Sequence, residues 1–262
     1  VSFSYDNGKP SLANINLTIK NDIVPINEPN LPLNIPLIGR QDIVRKLKKN
    51  YANNNPRHLS LVGPRFFGKS VLLNAVAAEM EKDKSSKFKI VVFWDLGHQT
   101  PASNEDFLNT MCKEISLKLL AVDQDCFEIL QKRENPYSDL RAVFGHLADQ
   151  NINITMLWDG CDKPLSSGKL TKNLWDQLRE LARSSSLTII TASRKPLHEL
   201  LIDEDSATSD FWSIFDPNWI GVGVFDEDDQ NQDNFQLDNY LPNNWIALLN
   251  VSQHNYCEPG KI

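Results

Sequence analysis

Residues 63–70 read Gly-Pro-Arg-Phe-Phe-Gly-Lys-Ser, which fills every fixed position of the pattern G-x-x-x-x-G-K-[ST]. The chemistry of that spacing is phosphate binding. Gly63 and Gly68 let the backbone turn tightly and come close to an anion. Successive backbone N–H groups, and the N-terminus of a helix leaving the loop, then meet the negative charge. Lys69 is a point charge on a stem long enough to reach the β- and γ-phosphates of a nucleoside triphosphate. The Ser70 hydroxyl is a hard oxygen ligand for Mg²⁺. The stretch expected to touch nucleotide is therefore Gly63, Pro64, Arg65, Phe66, Phe67, Gly68, Lys69, Ser70 and Val71.

A phosphate loop of this kind works with a carboxylate from another strand. The apolar run 154–158 ends in Asp159-Gly160-Cys161-Asp162. Asp159 should sit at the C-terminal edge of a buried strand, where ligands lie in open α/β sheets, and is assigned to Mg²⁺, directly or through water. Asp162, three residues on, is assigned to positioning the attacking water. The run 187–191 is followed by Ala192-Ser193-Arg194. An Arg at that edge would face the γ-phosphate and sense it. Ser193 is also expected to cap a helix over 194–201, with Pro196 early in it.

The elements that must position these residues are legible as periodicity. Five short apolar runs, 58–62, 90–96, 154–158, 187–191 and 219–224, have the continuous character of strands buried on both faces. Helical spacing of apolar residues separates them, over 70–80, 104–120, 137–149 and 171–183, and a helix opened by Asp42 precedes them over 42–50. Alternation of this kind predicts an α/β fold of three layers, a mainly parallel five-stranded sheet with helices on both faces. Pro25, Pro29, Pro32 and Pro36 keep the approach to it extended, so residues 1–36 read as an arm or linker and 37–228 as the core. Residues 229–262 read as an acidic linker and the start of a truncated C-terminal lid.

Composition narrows the function classes. The net charge of −7 over 262 residues gives no support to a broad nucleic-acid footprint. Cys112, Cys126, Cys161 and Cys257 form no Cys-x-x-Cys pair, and the expectation is buried free thiols in a reducing cytoplasm, with neither zinc nor disulfides. No basic-flanked apolar leader and no long apolar stretch occurs, so no membrane partner is expected. Val1 in place of Met suggests a piece of a longer chain.

Taken in order, these motifs resemble the STAND class of P-loop NTPases, the group that includes NACHT and NB-ARC switch domains and related prokaryotic ATPases, within the ASCE division. Leu37-Ile38-Gly39-Arg40 is similar to the signature ahead of that family's phosphate loop, which implies that Gly39 and Arg40 lie near the adenine and sugar. Asp159-Gly160-Cys161-Asp162 is similar to the NACHT form of the acidic strand, and Thr191-Ala192-Ser193-Arg194 resembles the family's Arg-bearing sensor. Gln41 and Lys163 stand where the family carries acids, and Phe66-Phe67 is an unusual pair for the loop. The resemblance implies ATP/ADP and Mg²⁺ as cofactors and slow hydrolysis of ATP, with Asp162, Lys69 and Arg194 as its catalytic residues. It further implies an ATP-dependent homo-oligomer and an effector or sensor domain as partner. No guanine-reading Asn-Lys-x-Asp follows the acidic strand.

Two other readings use some of the same residues. Residues 1–17 and Leu165-Ser166-Ser167-Gly168-Lys169 resemble parts of ABC-type ATPases, but that signature precedes the acidic strand in such enzymes and here follows Asp159. An AAA+ or archaeal-type remodelling ATPase usually places Glu after the strand-ending Asp, where this chain has Gly160. A scaffold that binds nucleotide without turnover is the non-enzymatic alternative.

Overall fold

The five apolar runs form one wholly parallel sheet in the order β2-β3-β4-β1-β5 in the computed structural model of the chain. The structure describes residues 40–82, 89–200 and 210–223. All of these belong to the second of two compact units, Leu33–Ile262. The expected arm over 1–36, Gly39 and the expected linker over 229–262 lie outside the described residues.

In chain order the elements are α1 (Gln41–Ala52), β1 (Leu59–Val62), α2 (Lys69–Lys82), β2 (Lys89–Asp95), α3 (Asn104–Leu119), α4 (Gln124–Lys132) and α5 (Pro136–Asp149). There follow β3 (Asn153–Asp159), α6 (Asp162–Leu165), α7 (Lys172–Leu181), β4 (Leu187–Ser193), α8 (Leu197–Leu200), a 3-10 turn over Asp210–Ile214, and β5 (Ile220–Gly221). Strands β3 and β4 are buried along their whole length, which is why their sequences do not alternate.

Helices cover both faces, giving the three-layer α/β architecture. On one face α1 and α2 supply Leu47, Leu72, Leu73 and Val76, all fully buried, against Leu61, Leu157 and Ile190 of the sheet. On the other, α3, α5 and α7 close over an aromatic layer. Trp94 and Trp158 meet edge to face with centroids 6.0 Å apart, and Phe107 sits 4.8 Å from Trp94 and 5.5 Å from Trp158. Each such ring buries a large apolar area, and the tilted contacts suit the ring quadrupoles.

His58, just ahead of β1, ties three elements together. Its Nδ1 accepts from the Ile189 N–H at 2.9 Å, and its Nε2 lies 3.0 Å from the Ala182 carbonyl. That pairing requires the neutral ring with its proton on Nε2. Burial lowers the His58 pKa below its ordinary value, opposed by the Ala182 carbonyl.

Three expectations need correction. Helix α1 begins at Gln41, with Asp42 inside its first turn. Its cap is Arg40, left-handed at φ 59, without a side-chain cap, because a guanidinium has no acceptor for the first helical N–H groups; the Arg40 guanidinium donates to the Gly223 carbonyl at 2.7 Å. Ser193 does not cap a helix. Parallel pairing with β1 carries β4 through Ser193, opposite Val62, and the next helix starts only at Leu197. Helix α4 went unread because just two of its nine residues, Cys126 and Leu130, are buried.

Candidate functional site

The C-terminal edge of the sheet gathers the residues singled out by the motifs. Strand β1 ends at Val62, and the loop turns to enter α2 at Lys69. Gly68 takes φ +77, a left-handed conformation open to glycine, and the Leu72 N–H reaches the Gly68 carbonyl at 2.8 Å to begin the helix.

Gly63 is required for a different reason from the one expected. A Cβ there would lie 2.0 Å from the carbonyl oxygen of Val222. Close passage of the chain after β5, and not a left-handed turn, demands glycine at the first loop position. The Lys69 ammonium folds over the loop, donating to the Gly63 and Pro64 carbonyls at 2.8 Å each.

The loop's apex is exposed. Phe66 is 93% exposed and left-handed at φ 69, with the Arg65 guanidinium 5.4 Å from its ring centre. Phe67 packs inward against the core beneath α1 and α2, and Val71 is partly exposed on the first turn of α2.

Strand β3 ends on Asp159, which is 7% exposed. Ser70, in the first turn of α2, and Lys69 beside it both act on the Asp159 carboxylate, so the segment after β1 and the end of β3 meet across β4. Burial raises the Asp159 pKa, the nearby Ser70 hydroxyl lowers it, and the charge of Asp95 raises it further. Burial lowers the pKa of Lys69, against which Asp162 and Asp159 hold it up, while Arg194 and Arg40 push it down. All four charged side chains thus act on one ammonium, and Arg40, bonded to the Gly223 carbonyl just after β5, joins the site electrostatically.

The structure brings Arg194 and Asp162 together. The Arg194 N–H donates to Asp162 Oδ1 at 2.7 Å, and its Nε lies 3.4 Å from Oδ2. Asp162 is therefore turned toward the segment after β4. Gly160 takes φ +70, and a Cβ on it would come within 2.7 Å of Gly97 Cα. No side chain fits where an acid would follow Asp159.

Sequence reasoning read the neighbouring strand, as the run 90–96, but passed over the acid that ends it. Asp95 ends β2 level with Asp159, its partner in the β2–β3 register. Its carboxylate accepts from the His98 N–H at 2.9 Å and pairs with His98 Nδ1 at 2.6 Å. The signal was present: an apolar run ending in an acid is the pattern that singled out Asp159.

A serine hydroxyl beside a desolvated carboxylate is a hard-oxygen donor pair, and the raised pKa of Asp159 marks a charge that a cation would stabilise. The residues present would suit Mg²⁺, which Ser70 and Asp159 would hold.

No family model matches the sequence, and no curated protein matches it. Solved structures do. The chain is similar to the Aeropyrum pernix ORC2 protein in its ADPNP–ADP complexes, with TM-score 0.55 and 11% identity over 75% of this chain and 52% of that one. It is also similar to the ADP form of the same protein, with TM-score 0.51 and 12% identity over 72% and 48% of the two chains. The Aeropyrum pernix ORC1 protein in complex with DNA follows at TM-score 0.50 and 11% identity, over 71% and 46%. The chain spans about half the length of these structures. At such identities the likeness is one of fold, and the fold is the three-layer α/β architecture of P-loop ATPases.

Proposed function

We propose that this chain binds ATP and ADP with Mg²⁺ at the edge formed by Gly63–Ser70, Asp159 and Arg194, hydrolyses ATP slowly, and acts as a nucleotide-dependent oligomerisation switch of the STAND kind. The observation that carries the nucleotide site is the meeting of the phosphate loop and the acidic strand at one sheet edge, where the Asp159 carboxylate feels both Ser70 and Lys69. The loop N–H groups and the start of α2 receive the phosphates. Lys69 leaves the carbonyls of Gly63 and Pro64 for the β- and γ-phosphates. A bound Mg²⁺ would neutralise charge developing on the phosphates, held by Ser70 and Asp159. Asp162 anchors the backbone of Arg194, whose guanidinium senses the γ-phosphate.

The switch rests on the ordered motifs Arg40, Lys69, Asp162 and Arg194 and on the fold, with an effector or sensor domain as partner. Among the described residues no helix is long and apolar enough to cross a membrane. A second reading, a remodelling ATPase that acts with DNA, is favoured by the likeness to the ORC1 protein in complex with DNA. ATP-dependent assembly with slow turnover supports the switch, whereas turnover stimulated by DNA supports the second reading.

Titration calorimetry with ATP–Mg²⁺ tests the site itself. The K69A variant should show no binding while its unfolding midpoint stays that of the parent. Undiminished affinity in K69A would refute the site.

A further inference from the structure

The end of β2 and the turn after it form a built feature that the motifs leave unused. The Gly97 N–H donates to the Asp159 carbonyl at 3.2 Å, and the Lys163 ammonium donates to the Gly97 carbonyl. The Gln99 N–H reaches the Asp95 carbonyl at 3.0 Å, and Thr100 Oγ1 donates to the Leu96 carbonyl at 2.9 Å. The turn is thus clasped to the end of β3 and to α6. Within it, Asp95 grips both the backbone and the ring of His98, so Nδ1 carries the shared proton and Nε2 is left as an acceptor. The His98 side chain is 89% exposed, against 35% for Asp95.

Water activation beside Asp159 has no source on β3 itself. Gly160 cannot carry a side chain, because Gly97 fills the space. Asp162 has its two oxygens on Arg194. Asp95, level with Asp159 on the adjacent strand, is the next carboxylate, and it presents an imidazole.

We propose that His98, held by Asp95, is the general base for the water that attacks the γ-phosphate of a bound nucleoside triphosphate, an inference that rests on the nucleotide site proposed above. The water oxygen bonds to the γ-phosphorus while the bond from that phosphorus to the β,γ-bridging oxygen breaks. ADP leaves with the electron pair. The water proton passes to His98 Nε2 and from there to solvent. Asp95 is the positioning residue: it fixes the tautomer and stabilises the imidazolium as it forms. The other charges around this turn are Asp159 on β3 and Lys163 on α6, with Lys69, Arg194 and Asp162 further along the same edge.

Phosphate release by the full chain, measured from acid to alkaline pH beside nucleotide affinity by calorimetry, tests this. In the parent, kcat should fall as pH is lowered and the base takes up a proton. H98Q should lose about 10²-fold in kcat and lose that acid limb, with nucleotide affinity changed by less than about twofold. Exogenous imidazole should restore part of the rate to H98A. D95N should fall between parent and H98Q in kcat, with nucleotide affinity again changed by less than about twofold. An H98Q rate within about threefold of the parent, with the acid limb intact, would overturn the assignment. So would a parent that binds ATP and releases no phosphate, and that outcome leaves the nucleotide site standing. A parent that binds no nucleotide overturns the site as well.

Discussion

Gly63→Ala separates packing from phosphate chemistry at the first loop position. The added Cβ would stand 2.0 Å from the Val222 carbonyl oxygen, where real Cβ atoms essentially never approach within 3.0 Å, so the two backbones must part by 3.0 − 2.0, or about 1.0 Å. Neither side yields easily. Gly63 is held by its N–H on the Ser193 carbonyl at 3.2 Å, and Val222 by its N–H on the Val62 carbonyl at 2.7 Å. Val222 is 1% exposed. Displacing it forfeits up to about 1.5–3 kcal/mol of apolar burial and about 0.5–1.5 kcal/mol for the hydrogen bond. The variant should therefore lose up to about 2–4.5 kcal/mol, a large part of a domain stability of about 5–15 kcal/mol. Gly68→Ala is the internal comparison. Nothing lies within 4 Å of its Cβ position, so the cost is the left-handed φ of +77, about 1–2 kcal/mol. Urea titration followed by tryptophan fluorescence gives both values. A G63A midpoint corresponding to less than about 0.5 kcal/mol of destabilisation would show that the β5 contact does not constrain the loop.

Three further outcomes are expected. Burial lowers the His58 pKa, so the stability of its neutral ring is complete above the unfolded imidazole value of about 6.5 and is lost as pH falls through that value toward the lowered folded one. The unfolding midpoint should drop between pH values of about 7.5 and 5.5, and H58Q should drop less; an equal drop refutes the linkage. Burial raises the Asp159 pKa, so ionising it costs stability as pH rises above the unfolded carboxylate value. D159N should accordingly unfold at higher urea than the parent at neutral pH and lose the Mg²⁺-dependent gain in ATP affinity; a Mg²⁺ response like the parent's would remove Asp159 from the metal site. Gly145 lies on the exposed face of α5 with nothing within 4 Å of its Cβ position, so G145A should stabilise the fold by about 0.5–1 kcal/mol; a lower midpoint contradicts that.

Several features of this protein follow from the amino-acid order alone. The strands are continuous apolar runs because β3 and β4 are buried throughout, and their boundaries fall within a residue or two of those expected. The phosphate loop and Asp159 are recognisable because their chemistry is local: glycine, lysine and hydroxyl at set spacing, and an acid ending an apolar run. Helix α4 was not legible, since two buried residues in nine make too weak a period.

Tertiary structure decided the rest, because those features depend on contacts between residues far apart in sequence. Gly63 is glycine on account of Val222, 159 residues later by their numbers, a contact that no local rule expresses. Arg40 donates to the Gly223 carbonyl, 183 residues later by their numbers. Asp162 turns to Arg194 only because β3 and β4 lie side by side. Asp95 and His98 matter only once β2 is in register with β3, which sets Asp95 level with Asp159. The sequence offers a phosphate-loop motif; the packing of strand ends determines which side chains surround it.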